Sequence, residues 1–88
     1  MYRVELSKRA FRSLKKLDPR TRFRILEKLM SLREKPIPRG AAKLKGEKNA
    51  YRLRVGDYRI AFTVNFKENE VAILKIAKRK IFYREIGR

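Results

Sequence analysis

The sequence predicts an α+β domain of order β-αα-β-β-β. A helical hairpin packs on one face of a mostly antiparallel four-stranded sheet, and a short helix or arm ends the chain. Three observations predict it. Apolar and polar residues alternate at period two in residues 2–6 and again from Tyr51 to Phe66. Between these stretches, apolar residues recur at helical spacing in two segments parted by "LDP". The later strands follow one another through turns of a few residues, which antiparallel pairing allows and parallel pairing does not.

Taken in order, "YRVEL" (2–6) alternates Tyr2, Val4 and Leu6 with Arg3 and Glu5, the pattern of a half-buried strand. Ser7 N-caps a helix over about 8–16, with Phe11, Leu14 and Leu17 as its apolar stripe. Asp18 caps the next helix, and Pro19 fits its first turn, where a missing N–H loses no intrahelical bond. Phe23, Leu26, Leu29 and Met30 are expected to face inward, and the prolines of "KPIP" stop the helix. Residues 40–49 read as a loop with a short extended piece at Lys43–Lys45. Tyr51, Leu53 and Val55 then alternate with Arg52 and Arg54, and "GD" makes a tight turn. Ile60, Phe62, Val64 and Phe66 alternate with Arg59, Ala61, Thr63 and Asn65 beyond it. "VAILKIA" (71–77) is a near-continuous apolar run, as a central strand covered on both faces would be. "KRKIFYREIGR" (78–88) closes the chain as the terminal helix or arm. The helices occupy one sheet face, and the arginines line the other.

With 88 residues the chain is one domain, 1–88, with a single core. It carries 26 Lys and Arg against 9 acids, a formal charge of +17 spread evenly over both halves. A folded body so charged attracts polyanions, which makes nucleic acid or a strongly acidic protein the leading partner class. Cysteine and histidine are both absent, which removes disulfides, thiolate and imidazole metal ligands, and the usual neutral-pH general base. Nine scattered carboxylates make a poor hard-metal cage, so no metal or cofactor is expected. The longest apolar run is four residues, against about 20 for a membrane helix. "MYRVELSK" has no apolar h-region, and a cytoplasmic location is expected.

The second sheet face carries the functional signal. One wet face is normal for an antiparallel sheet, yet between residues 50 and 66 only Asp57 offsets Arg52, Arg54 and Arg59. Arginine meets phosphate with two parallel hydrogen bonds, which lysine cannot do. A cationic face of this kind suits a phosphodiester backbone.

"KLKGEKNAYRLRVGDYRIAFTV" followed by "ILKIAKRKIFYRE" resembles the RelE/ParE superfamily of type II toxins, over essentially the whole chain. The ending after the last strand points to the RelE branch, whose members cut messenger RNA in the ribosomal A site without metal. The resemblance implies that Arg59 braces the scissile phosphate. It further implies that Arg79 stabilises charge or protonates the leaving oxygen, and that Tyr83 stacks on or orients the target nucleotide. Lys43, Lys45, Arg52, Arg54, Lys78 and Lys80 are the expected phosphate contacts. Relatives of the best-known type carry lysines where this chain has Arg52 and Arg54. A guanidinium does not deprotonate, so a lysine base at those positions does not transfer. Lys43, Lys45, Lys78 and Tyr83 stand as candidates in its place, the alternative being that transition-state stabilisation dominates, with ribosomal groups positioning the substrate. The implied partners are the ribosome, mRNA and a cognate RelB-like antitoxin, acidic or amphipathic, in a heterodimer or heterotetramer; no membrane partner is implied.

Two other readings compete. A ParE-like topoisomerase poison would need no nuclease chemistry. A non-catalytic RNA-binding module would use the basic sheet for phosphates, but such sheets usually expose aromatics for base stacking, and here only Tyr83 is placed for that.

Overall fold

The computed structural model describes residues 1–86, and the last two positions of the predicted terminal element lie outside them. The order is β1 (Arg3–Leu6), α1 (Lys8–Lys15), α2 (Pro19–Ser31), β2 (Ala42–Lys43), β3 (Ala50–Val55), β4 (Tyr58–Asn65), β5 (Glu70–Lys78) and α3 (Arg79–Ile86). The α+β class holds, but the sheet has five strands, in the order β1-β5-β4-β3-β2. The additional strand is β2, two residues pairing antiparallel with Arg52 and Tyr51. It falls one residue earlier than the extended piece expected at Lys43–Lys45. β1 runs parallel to β5, and the remaining pairs are antiparallel. The αα-hairpin carries the chain from β1 at one edge of the sheet to β2 at the other, and the antiparallel strands bring it back to β5 beside β1.

Local chemistry explains the element ends. The Ser7 hydroxyl accepts from the Ala10 N–H at 3.0 Å, and Asp18 accepts from the Thr21 N–H at 3.2 Å. Hydrogen bonds from the Thr21 side chain and amide hold the Asp18 carboxyl below its usual pKa. Ser7 also donates to the Leu74 carbonyl at 3.1 Å, tying the start of α1 to β5. Ser7→Ala is expected to destabilise the protein by about 0.5–2 kcal/mol, read from urea denaturation. At the β3–β4 turn Gly56 has φ +57°, and a Cβ there would lie 3.3 Å from a guanidinium nitrogen of Arg24.

The core lies between the hairpin and one sheet face: Ala10, Leu14, Ile25, Leu29 and Leu32 meet Leu53, Ile60, Phe62, Val64, Val71, Ile73 and Ile76. Tyr51 and Tyr58 flank it, with Tyr51 stacked on Phe62 at 5.8 Å. The inward faces of the helices differ from those expected. On α2 the buried residues are Ile25 and Leu29, while Phe23 is 62% and Met30 50% exposed, and Leu26 is also exposed. On α1, Ala10 and Leu14 are buried and Phe11 is exposed. The helix α2 carries two apolar stripes, 25/29 and 23/26/30, and only one of them can meet the sheet.

The second sheet face is not left open. α3 packs on β5 and β4, and its Phe82 is completely buried outside the hairpin-side core. Ile86, near the end of the same helix, is exposed.

Candidate nucleic-acid interface

The strand register builds the second face as a grid. One rung sets Arg54 opposite Arg59 and Arg59 opposite Ala77; the next sets Arg52 opposite Ala61 and Ala61 opposite Lys75. Period-two alternation accounts for the arginines, and the alanines leave room between them for α3. Among the described residues no carboxylate pairs with Arg52, Arg54, Arg59 or Arg79; the ion pairs are Arg3 with Glu5 and Glu70, and Arg9 and Lys75 with Glu85.

Four of the expected site residues come together around the β3–β4 turn and α3. The Arg59 guanidinium donates to the Gly56 and Tyr58 carbonyls, at 3.3 and 3.2 Å. The Arg79 N–H donates to the Asp57 carbonyl of the same turn at 3.0 Å, which sets Arg79 at the start of α3 with an exposed side chain. Arg52 places its guanidinium 5.8 Å from the centre of the half-buried Tyr83 ring, within cation–π range. Tyr83 in turn stands edge-on to Phe82 at 5.3 Å. The arrangement thus sets guanidiniums without a carboxylate partner, among the described residues, beside an aromatic ring.

The other expected contacts lie elsewhere. Arg54 lines a groove with Arg24 and Lys28. Lys43 pairs with Tyr51 and takes the phase opposite to Arg52. Lys78 pairs with Tyr58 and lines a groove with Lys16 and Leu17. Lys80 is exposed in the first turn of α3. Lys45 borders a different cleft, of about 500 Å³, together with Arg9, Lys48, Ala61 and Lys75.

Lys75 is the residue that sequence reading passed over. It is only 6% exposed, and its ammonium meets the Glu85 carboxylate of α3, which Arg9 of α1 also reaches at 2.6 Å. Burial, and next the Arg9 charge, lower its pKa. Strict alternation from Val71 and Ile73 would have turned Lys75 into the core. Phe62 pairs with Ile73 and Ala61 with Lys75, so Leu74 is an extra residue, a β-bulge. The bulge leaves Leu74 43% exposed and re-aims Lys75 onto the second face. Among the described residues no three His, Cys, Asp or Glu side chains cluster as a metal site.

Comparison with known proteins places this geometry. The family model for the ParE toxin of type II toxin-antitoxin systems matches residues 4–83. RelE1 of Methanocaldococcus jannaschii is 31% identical over 86 residues, 94% of this chain and 96% of that protein. Among solved structures, RelE in the archaeal RelE–RelB complex from Pyrococcus horikoshii OT3 superposes with a TM-score of 0.80 at 36% identity, covering 89% of this chain and 94% of that one. Isolated Escherichia coli RelE superposes with a TM-score of 0.79 at 25% identity, covering 97% and 94%. A family match over nearly the whole chain and the shared fold agree with the motifs, and the chain belongs to the RelE branch of the RelE/ParE superfamily, the toxins of type II toxin–antitoxin systems.

Proposed function

We propose that this toxin is a metal-independent endoribonuclease that cleaves mRNA in the ribosomal A site by attack of the 2′-hydroxyl on the adjacent phosphorus. The observation that carries this reading is the gathering of Arg59 and Arg79 at one turn, with the Arg52–Tyr83 pair beside them and, among the described residues, no carboxylate to neutralise them. Negative charge builds on the phosphoryl oxygens in the transition state. The guanidiniums of Arg59 and Arg79 stabilise that charge, and electrostatic stabilisation of this kind contributes most in many enzymes. Arg59 and Arg79 bind the phosphate, and Tyr83 stacks on the target nucleotide. Lys45 and Lys80 add general attraction to the RNA backbone.

A cognate antitoxin holds the toxin inactive, as a RelB partner accompanies RelE in the related complexes. The exposed stripe Phe23, Leu26 and Met30, flanked by Arg24 and Lys28, favours an amphipathic acidic segment as the contact. Such a partner also relieves the self-repulsion of a +17 body.

The test is primer extension on ribosomes programmed with a defined mRNA, with free RNA alongside. Cuts confined to an A-site codon and dependent on the ribosome are expected. Folded protein that leaves ribosome-bound mRNA intact would shift the reading to a topoisomerase poison, to be checked by gyrase supercoiling.

A further inference from the structure

We propose that Lys75 is the general base of this toxin, accepting the proton of the attacking RNA 2′-hydroxyl. The inference rests on the nuclease reading above. A base is needed, the chain has no histidine, and the arginines at 52 and 54 cannot serve. Three independent features of the fold converge on Lys75. The bulge at Leu74 turns it out of the core and onto the face that holds Arg52 and Arg59. The rung that pairs Arg59 with Ala77 makes Lys75 the diagonal neighbour of Arg59, a Cα separation of roughly 7–8 Å that long side chains close readily. Finally, Lys75 borders the cleft of about 500 Å³ together with Ala61, the residue that separates it from Arg52 on the rung.

The surroundings of the amine lower its pKa. Glu85 on α3 favours the ammonium; Arg9 on α1 and burial oppose it. Lys45, Glu47 and Lys48 face it from the loop across the cleft, with a net positive charge. Lys16 and Lys78 do so from the α1 side. Ala61 and Arg52 are its neighbours across β4 and β3. A neutral Lys75 donates one N–H to Glu85 and keeps its lone pair for the cleft. The 2′-hydroxyl proton passes to that lone pair, and the 2′ oxygen forms its bond to phosphorus. The bond from phosphorus to the 5′ oxygen breaks, its electron pair leaves on that oxygen, and the oxygen takes a proton from water. The products are a 2′,3′-cyclic phosphate and a 5′-hydroxyl, and Lys75 returns its proton to solvent.

The test measures kcat/KM on programmed ribosomes between pH 6 and 9 for the parent, Lys75→Arg and Lys75→Met. The Lys75 Nζ is titrated in parallel by NMR in the unsubstituted toxin. Parental kcat/KM should rise with pH and bend toward a plateau at the pKa that NMR gives for Lys75, below the ordinary lysine value. Lys75→Arg keeps the charge and the Glu85 contact, yet it should lose about 10²–10⁴-fold in rate and the pH dependence with it. A Lys75→Arg toxin with the parental rate and profile would overturn the assignment while leaving the nuclease reading intact. So would an Nζ that titrates at the ordinary lysine value, a measurement that needs no folded variant. A parent that cuts no ribosome-bound mRNA overturns both.

Discussion

Replacing Arg79 by alanine is expected to slow cleavage of ribosome-bound mRNA by about 10²–10³-fold, a loss of roughly 2.7–4 kcal/mol of transition-state stabilisation, while leaving the fold intact. The reasoning starts from exposure. The Arg79 side chain lies on the surface, and only its backbone N–H takes part in the turn, a contact alanine keeps. Truncation therefore removes a cation from the phosphate without loosening the scaffold. Arg59 makes a useful contrast, because its guanidinium also binds the Gly56 and Tyr58 carbonyls. Arg59→Ala should slow cleavage and also loosen the β3–β4 turn, so its thermal midpoint falls where that of Arg79→Ala does not. Single-turnover cleavage and thermal unfolding of both variants check this. An Arg79→Ala toxin that cuts at the parental rate would remove Arg79 from the site.

The second large effect is on α3. An eight-residue helix is too short to hold together alone in water, so α3 is folded because it is docked. Phe82 is its fully buried residue. Deleting a buried phenylalanine side chain costs about 3–5 kcal/mol, which exceeds what so small a contact surface supplies. Phe82→Ala should therefore detach α3, withdrawing Tyr83 from Arg52 and Glu85 from Lys75 together. Hydrogen exchange is expected to show protection lost over residues 79–86 and retained in β3 to β5. Phe62→Ala should behave differently, because Phe62 is completely buried in the main core; the same cost then falls on the whole domain. Unchanged α3 protection in Phe82→Ala would contradict the docking argument, as would loss of the entire sheet.

Both predictions depend on features that differ in how far the chain advertises them. The helix starts at Ser7 and Asp18–Pro19, the Gly56–Asp57 turn and the alternation through β3 and β4 are written in neighbouring residues. Each acts through hydrogen bonds or φ angles within a few positions of itself. The same alternation put Arg52, Arg54 and Arg59 on one face, and the motifs around Arg59, Arg79 and Tyr83 led to the family that the comparisons show.

Tertiary pairing decided the rest. Two apolar stripes on α2 have equal claim to the core by periodicity, and the sheet accepts the one carrying Ile25 and Leu29. The parallel pairing of β1 with β5 joins residues 67 positions apart, which no local pattern records. Lys75 is the sharpest case. Its face depends on one unpaired residue, Leu74, and a bulge exists only relative to the partner strand that skips it. Local rules act through the chain's own backbone, and so the sequence alone determined the elements other than β2, the charge and the arginine face. The direction of a side chain beyond a bulge, the stripe a helix buries and the roof over the arginines depend on contacts between distant segments, which only the folded molecule brings together.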